Sequence, residues 1–294
     1  MVEISGATKL AGVIGCPLEH TLSPTMHNAA YEDLGLDWVY VPLALEGERD
    51  LVRVLSAIKV LPFVGFNVTM PYKAAMVALC DEVSALALLA GAVNTVHCVD
   101  GRLIGYNTDG RGLVEALETE AGFDPAGASV AILGAGGAAG GALVALALAK
   151  ASRITVVNRT ADRAAVLVRR TAERFGDVDL AISAFDDSAE PAVRDADLVI
   201  NATSIGMNAG DPSPIPSAWL RSGQVVADMV YRAEPTTLVL DARRAGATAM
   251  DGLPMLVCQG ATAIDIWRGD AESRAPRDVM REAAERELER RSSA

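Results

Sequence analysis

The hexapeptide G-A-G-G-A-A at residues 134 to 139 constrains the fold of this chain more than any other stretch. The apolar run S-V-A-I-L precedes it, and a small-residue segment reaching Lys150 follows it. This reads as a strand, a glycine turn and a helix, the context in which G-x-G-x-x-(G/A) has a physical meaning. Gly134 permits the tight turn, Gly136 lets the backbone approach a pyrophosphate, and Ala139 allows close packing of helix on sheet. The start of the helix adds backbone N–H donors and a positive dipole end. Gly134, Ala135, Gly136, Gly137 and Ala138 are therefore candidate nucleotide-binding residues. A glycine loop serving only chain reversal is the competing reading.

Further short apolar runs follow at R-I-T-V-V-N (153–158), D-L-V-I-N (197–201) and Q-V-V-A-D (224–228). Strands separated by helices at this spacing predict a parallel sheet covered by helices. At the end of the second strand, an acid would accept a hydrogen bond from a ribose 2′-hydroxyl, whereas a 2′-phosphate favours arginine. Here V-V-N-R-T-A-D-R offers Asn158, Arg159, Thr160 and Arg163. Placing Arg163 one helical turn beyond Arg159 puts both guanidinium groups on one side, as a phosphate clamp. Asp162 is expected to point elsewhere. NADP is thus preferred over NAD, against the alternative of a solvated helix start.

The preceding part of the chain has a different texture. Leu10 to Cys16 and Trp38 to Leu45 read as strands, with a helix from Pro24 to Leu34 between them that Gly35 ends. F-V-G-F-N-V-T (63–69) is a further strand stopped by Pro71, and Asp100-Gly101 between two alternating runs predicts a hairpin. These strands imply an α/β unit with a mixed sheet. The segment P-R-D-V-M-R-E-A-A-E-R-E-L-E-R-R is a charged helix opened by Pro276 and reads as a solvated face.

Composition narrows the partners. A net charge of −12 argues against nucleic acid and requires any anionic ligand to be held by a few local groups. The four cysteines, Cys16, Cys80, Cys98 and Cys258, form no C-x-x-C, so buried free thiols in a reducing compartment are expected. Three histidines without ligand spacing predict no metal. Without a signal-peptide pattern or a membrane-length apolar run, the expectation is a cytoplasmic protein.

Oxidising a secondary alcohol needs a group that takes the hydroxyl proton as hydride leaves, which a desolvated lysine can do beside a positioning carboxylate. Lys73 lies beyond Pro71, at the end of the strand carrying Asn67 and Thr69. Asn94 opens the hairpin, and Asn107-Thr108-Asp109-Gly110 closes it. Taken singly, Lys73 reads as a surface lysine and Asp109 as a helix cap. The run A-T-S-I-G (202–206) echoes a nucleophile elbow only faintly and is better placed lining a cofactor cleft.

Taken together, H-T-L-S-P-T-M-H-N, N-V-T-M-P-Y-K, A-G-A-V-N-T, N-T-D-G, G-A-G-G-A, N-R-T, N-A-T-S-I-G-M, D-M-V-Y and D-G-L-P-M-L-V-C-Q-G-A resemble the shikimate dehydrogenase family, in the family's order. The resemblance covers roughly residues 10 to 270. It implies a substrate domain of residues 1–110 completed by helices in 253–294, an NADP-binding Rossmann-like domain of residues 111–252, and an active site in the cleft between them. The implied reaction is reversible reduction of 3-dehydroshikimate to shikimate with NADPH.

By the same resemblance, Lys73 and Asp109 are the catalytic pair, with Lys73 the acid/base. Thr21 and Ser23 match the hydroxyl pair for the substrate carboxylate, and Thr69, Asn94, Tyr231 and Gln259 match positions at the ring substituents. The glycine turn, Asn158 to Arg163, Thr203, Met229 and Gly252 match the cofactor side. One departure stands out: the family's Ser-x-Ser is here Thr21-Leu22-Ser23, whose extra methyl restricts χ1. Shikimate is still expected over quinate. The alternatives are a quinate/shikimate dehydrogenase using NAD or NADP, and a non-catalytic metabolite sensor. The expected partner is a small-molecule substrate, with the protein a monomer or homodimer.

Overall fold

The computed structural model describes residues 4–269 and 274–293. The chain divides into two compact units, Met1–Thr108 with Val257–Ala294, and Asp109–Leu256. In the first unit the order is β1 (Lys9–Gly15), α1 (Ser23–Asp33), β2 (Trp38–Ala44), α2 (Glu48–Ile58), β3 (Phe63–Val68), α3 (Met76–Leu79), β4 (Glu82–Val83), α4 (Ala85–Ala90), β5 (Thr95–Val99) and β6 (Arg102–Tyr106). The strands form one sheet in the order β2-β1-β3-β5-β6-β4. It is mixed: β1 runs parallel to β2 and β3, whereas β3, β5 and β6 pair antiparallel.

Local chemistry sets the ends of these elements. Pro24 occupies the first turn of α1, where its missing N–H costs nothing, and Gly35 at φ +63° ends the helix. Asp100 and Gly101 both have positive φ, which a two-residue hairpin matched to strand twist requires. On α2, Leu51, Leu55 and Ile58 are buried at helical spacing and pack on Ile14, Phe66 and Val68 of the sheet.

The second unit begins with α5 (Asp109–Ala121). It continues as β7 (Ser129–Leu133), α6 (Gly137–Leu148), β8 (Arg153–Val157), α7 (Ala161–Ala172), β9 (Asp179–Ser183), α8 (Glu190–Arg194), β10 (Leu198–Asn201), β11 (Val225–Asp228), α9 (Thr237–Arg244) and β12 (Thr248–Met250). Its sheet is wholly parallel in the order β12-β11-β10-β7-β8-β9. The expected α/β class, a mixed sheet plus a Rossmann-like parallel sheet, is what the chain forms. The small residues of α6 let α5 lie close: a Cβ on Gly110 would stand 2.2 Å from the Gly141 carbonyl oxygen.

Two helices complete the chain, α10 (Leu253–Arg268) and α11 (Arg277–Ser292). From α10, Trp267 lies over Gly65 and its Nε1 donates to the Val96 carbonyl at 2.9 Å, which explains the glycine inside F-V-G-F-N-V-T. The expectation for α11 needs correction. Met280, Ala283 and Ala284 are buried and the helix packs along α1, so only part of it is solvated. The spacing of these three residues was obscured by the charges around them. The four thiols are free as expected, but of these only Cys258 is buried, whereas Cys80 and Cys98 are half-buried and Cys16 is exposed.

Between α1 and the sheet lies a buried imidazole. His27 stacks on Tyr40 with ring centroids 4.1 Å apart, and its Nδ1 is 2.8 Å from the Ser23 carbonyl oxygen. Burial pulls its pKa from 6.5 down to about 4, against the opposing pull of that carbonyl. The folded chain thus keeps His27 neutral where the unfolded chain would protonate it. Its contribution to stability is complete above pH 6.5 and is lost as the pH falls from 6.5 toward 4, by up to about 3 kcal/mol. Urea unfolding of the wild type and a His27→Phe variant across this range should give a stability difference that shifts toward the variant as pH falls. A pH-independent difference would refute the assignment.

Candidate active site

In the first unit the sheet buries a group of polar side chains. Asn67 on β3 stands opposite Thr95 on β5, and its Nδ2 donates to Thr95 Oγ1 at 3.0 Å and to the Asn94 carbonyl at 3.2 Å. Tyr40 from β2 donates its hydroxyl to Asn67 Oδ1 at 2.8 Å, fixing which way that amide faces. Asn94 Oδ1 accepts the Thr108 backbone N–H at 2.7 Å, while its Nδ2 donates to Thr108 Oγ1 at 3.0 Å and to Gln259 Oε1 at 3.2 Å. Asn94, Thr95 and Thr108 are each at most 2% exposed. Buried polar groups of this kind must be paired, and such a network holds its amides in one orientation.

The same unit carries the other expected substrate-side residues. Ser23 begins α1 and its N–H donates to Thr21 Oγ1 at 3.3 Å, with the fully buried Leu22 anchoring the turn between them. Arg291 of α11 donates to the Thr21 carbonyl at 3.1 Å and is itself held by Glu287 at 2.7 Å. Thr69, half-buried, follows β3, and its Cγ2 would lie 2.3 Å from a Cβ on Gly15. Lys73 sits in the turn after β3, half-buried, and its carbonyl accepts from Val93 N–H at 2.9 Å. The neighbouring Tyr72 is buried, and its hydroxyl on the Leu45 carbonyl pins this turn. Asn94 and Gln259 are thus brought together. Tyr40 and Thr95 join them although the sequence had not singled them out, their only signal being polar side chains in strands, and Thr108 joins from the N-T-D-G segment after β6.

In the second unit Gly134 turns at φ +109°, and a Cβ there would come within 3.1 Å of the Ala202 carbonyl and 3.2 Å of Thr203 Cγ2. Gly136 caps α6 with ordinary extended dihedrals, and a Cβ on it would meet no protein atom within 4 Å. Ala139, in the first turn of α6, is fully buried. Ala135, Gly137 and Ala138 are half-buried along this turn. One inference about the arginines is overturned. Thr160 is the N-cap and α7 starts at Ala161, so Arg159 precedes the helix and is not a helical turn away from Arg163. Asn158 Nδ2 donates to the Thr160 carbonyl at 2.8 Å, closing the loop that carries Arg159. Both arginines are exposed, as is Asp162 in the first turn, where a carboxylate suits the helix dipole.

At the ends of β10 and β11 lie Asn201 and Asp228, each at most 1% exposed. Asn201 Oδ1 accepts from the N–H and hydroxyl of Thr203 at 3.1 and 2.7 Å. Met229 donates its N–H to the Asn201 carbonyl at 3.0 Å, and a Cβ on Gly252 would stand 2.3 Å from the Met229 carbonyl oxygen. Burial pushes the Asp228 carboxyl above its usual range, against hydrogen bonds from Thr236, Val230 and Asn201. Tyr231 follows, half-buried. Asp109 is buried as the first residue of α5. Among the described residues no group of three or more His, Cys, Asp or Glu could hold a metal ion, and no helix is long and apolar enough to cross a membrane.

A wholly parallel sheet with a glycine turn leading from β7 into α6 places the second unit in the Rossmann-like class of α/β proteins. Models for the shikimate dehydrogenase substrate binding domain and for shikimate / quinate 5-dehydrogenase match residues 13–96 and 117–209. A shikimate dehydrogenase (NADP(+)) of Methanopyrus kandleri is 43% identical, the match covering 96% of this chain and 97% of that protein. One from Citrifermentans bemidjiense is 46% identical, with coverage of 91% and 92%. The crystal structure of shikimate 5-dehydrogenase from Thermus thermophilus, in complex with NADP(H) and shikimate, superposes with a TM-score of 0.84 at 37% identity, covering 96% of this chain and 100% of that one. The chain belongs to the shikimate dehydrogenase family.

Proposed function

We propose that this chain reversibly reduces 3-dehydroshikimate to shikimate with NADPH, a step in the supply of chorismate and the aromatic amino acids. The observation that carries this reading is the buried amide network of Asn94 and Gln259, present in a chain of this family. A polyhydroxylated ring needs fixed donors and acceptors, since a site built to bond each hydroxyl strongly rejects analogues lacking one. Asn94 and Gln259 supply them, with Thr69 and Tyr231 beside the ring and Thr21 and Ser23 on its carboxylate. The first unit, Met1–Thr108 with Val257–Ala294, is the substrate domain, and the second, Asp109–Leu256, the cofactor domain.

On the cofactor side, Gly136 supports a pyrophosphate outside the turn. Neither its dihedrals nor an internal contact requires glycine, so its small size serves something approaching from outside. Asn158, Arg159, Thr160 and Arg163 then hold the 2′-phosphate from an exposed loop and helix start, where the strand ends without an acid. NADPH supplies the hydride to the carbonyl carbon. Lys73 donates the proton to the carbonyl oxygen as it becomes the hydroxyl, and takes it back in the reverse direction, with Asp109 positioning the ammonium group.

Turnover should follow the nicotinamide absorbance in a two-by-two assay of shikimate or quinate against NADP or NAD, with kcat/KM highest for shikimate and NADP. A quinate preference would show that Thr21 has changed the carboxylate site. Lys73→Ala should lower kcat by roughly 10²–10⁴-fold while the protein stays folded. Near-full turnover in that variant would remove the mechanism. Replacing Arg159 and Arg163 together by alanine should weaken NADP about a hundredfold through lost charge-assisted hydrogen bonds, with little effect on NAD. Equal losses for both cofactors would mean there is no clamp.

A further inference from the structure

The loop that carries Thr203 is gripped at its root by a buried carboxylate to which neither the sequence nor the proposed mechanism gives a task. It leaves β10 at Asn201 and turns through Ala202, Thr203, Ser204 and Ile205 to Gly206, which sits at φ +105°. Asn201 organises it from inside. Its Oδ1 takes the two Thr203 donors, its Nδ2 donates to the Ile205 carbonyl at 3.0 Å, and Thr203 Oγ1 accepts the Ile205 N–H at 3.1 Å. An amide can do this only if its two ends cannot exchange. Asp228 prevents the exchange, because its Oδ1 accepts a second hydrogen bond from Asn201 Nδ2 at 2.9 Å and a carboxylate oxygen tolerates only a donor there.

The same carboxylate reaches two further segments. Oδ1 also accepts the Val230 N–H at 3.0 Å, fixing the backbone on either side of Met229. Oδ2 accepts the Thr236 hydroxyl at 2.6 Å, and that hydroxyl oxygen in turn caps α9 by accepting the Val239 N–H at 3.3 Å. At the far end of the loop, Asp211 and Arg232 form a second hold. Asp211 Oδ2 accepts the Gly206 and Asn208 N–H groups at 3.0 Å, and Arg232 donates to the Gly206 and Asn208 carbonyls at 3.2 and 2.8 Å. Those two side chains lie nearer the surface, whereas Asp228 is 1% exposed. Because burial raises the electrostatic strength of each hydrogen bond, the inner hold is the stiffer one.

The strand order tells which part of a dinucleotide this hold serves. β8 lies on one side of β7 and β10 on the other, so the order reverses between β7 and β10, where such ligands cross the sheet. The proposed 2′-phosphate residues follow β8, which assigns the adenosine half to that side. The nicotinamide half then falls over β10 and β11, against Thr203 and Met229. We propose that Asp228 is a positioning residue for the nicotinamide half of the cofactor, acting through Asn201 on Thr203 and through Val230 on Met229. The proposal rests on the reading of the chain as an NADP enzyme.

An amide in place of this carboxylate must either turn its NH2 toward the Asn201 and Val230 donors or present it to Thr236. The first choice loses two of the three hydrogen bonds and the second reverses one, and all lose charge assistance. The test is calorimetric titration of the full-length chain with NADP and with adenosine 2′,5′-bisphosphate, a fragment that lacks the nicotinamide half. In Asp228→Asn the Kd for NADP should rise about tenfold while the Kd for the fragment stays within about twofold of the wild type. Thr236→Val, which keeps the carboxylate but removes the hydroxyl on Oδ2, should show the same split at about threefold, and it decides the matter if Asp228→Asn does not fold. Unchanged NADP affinity, or equal losses for NADP and the fragment, would overturn the positioning role. A wild-type protein that binds neither probe would instead overturn the cofactor reading, and the proposal with it.

Discussion

Among the described residues, three strands carry a buried amide or carboxylate where the apolar pattern would place another valine: Asn67 in β3, Asn201 at the end of β10 and Asp228 at the end of β11. Burying an amide or carboxylate without partners costs several kcal/mol, so each position obliges another part of the chain to deliver a donor or acceptor. Tyr40 and Thr95 answer Asn67, Thr203 and Ile205 answer Asn201, and Thr236 and Val230 answer Asp228. The loops that carry the proposed functional residues are thereby not free to wander. They are tied to the ends of central strands, the stiffest parts of each unit.

The charge balance fits this economy. With a net charge of −12, the protein has no general field to attract an anionic cofactor or substrate. Binding must come from local groups, and those proposed are the helix start at Gly136, the exposed pair Arg159 and Arg163, and the hydroxyls of Thr21 and Ser23. Arg291, on the Thr21 carbonyl, brings a cation to that hydroxyl turn. Its Nε donates to the Glu287 carboxylate, which offsets its charge, so it stiffens the turn more than it charges it.

Much of the fold was legible because it depends on local rules. The glycine turn, the Asp100-Gly101 hairpin and the strands from Ser129, Arg153, Leu198 and Val225 each follow from spacing or from dihedrals that only certain residues adopt. What stayed hidden depends on partners distant in sequence. Local pattern places Asn94 at the start of the hairpin, but not against Gln259, 165 residues away. The helical spacing expected between Arg159 and Arg163 is absent for a related reason: the residues between them include the cap at Thr160, and a cap has extended dihedrals. The buried face of α11 was masked by charges on its other sides. Only the facing helix α1 reveals it.

The sequence N-T-D-G shows how far local constraint can set a reactive position. The chain passes from one unit to the other between Thr108 and Asp109. Thr108 is held by its backbone N–H on Asn94 Oδ1, within the network of the first unit. Asp109 opens α5, and the next residue is a glycine that lets the helix press against the Gly141 backbone of α6. Two adjacent residues are therefore each fixed by a different unit, one by hydrogen bonds and the other by close packing. A proposed catalytic carboxylate at the start of α5 takes its position from that packing, without an ordered loop of its own. Glycine at 110 is required not by an unusual φ but by the backbone it meets, so even alanine would push Asp109 away from where α6 holds it.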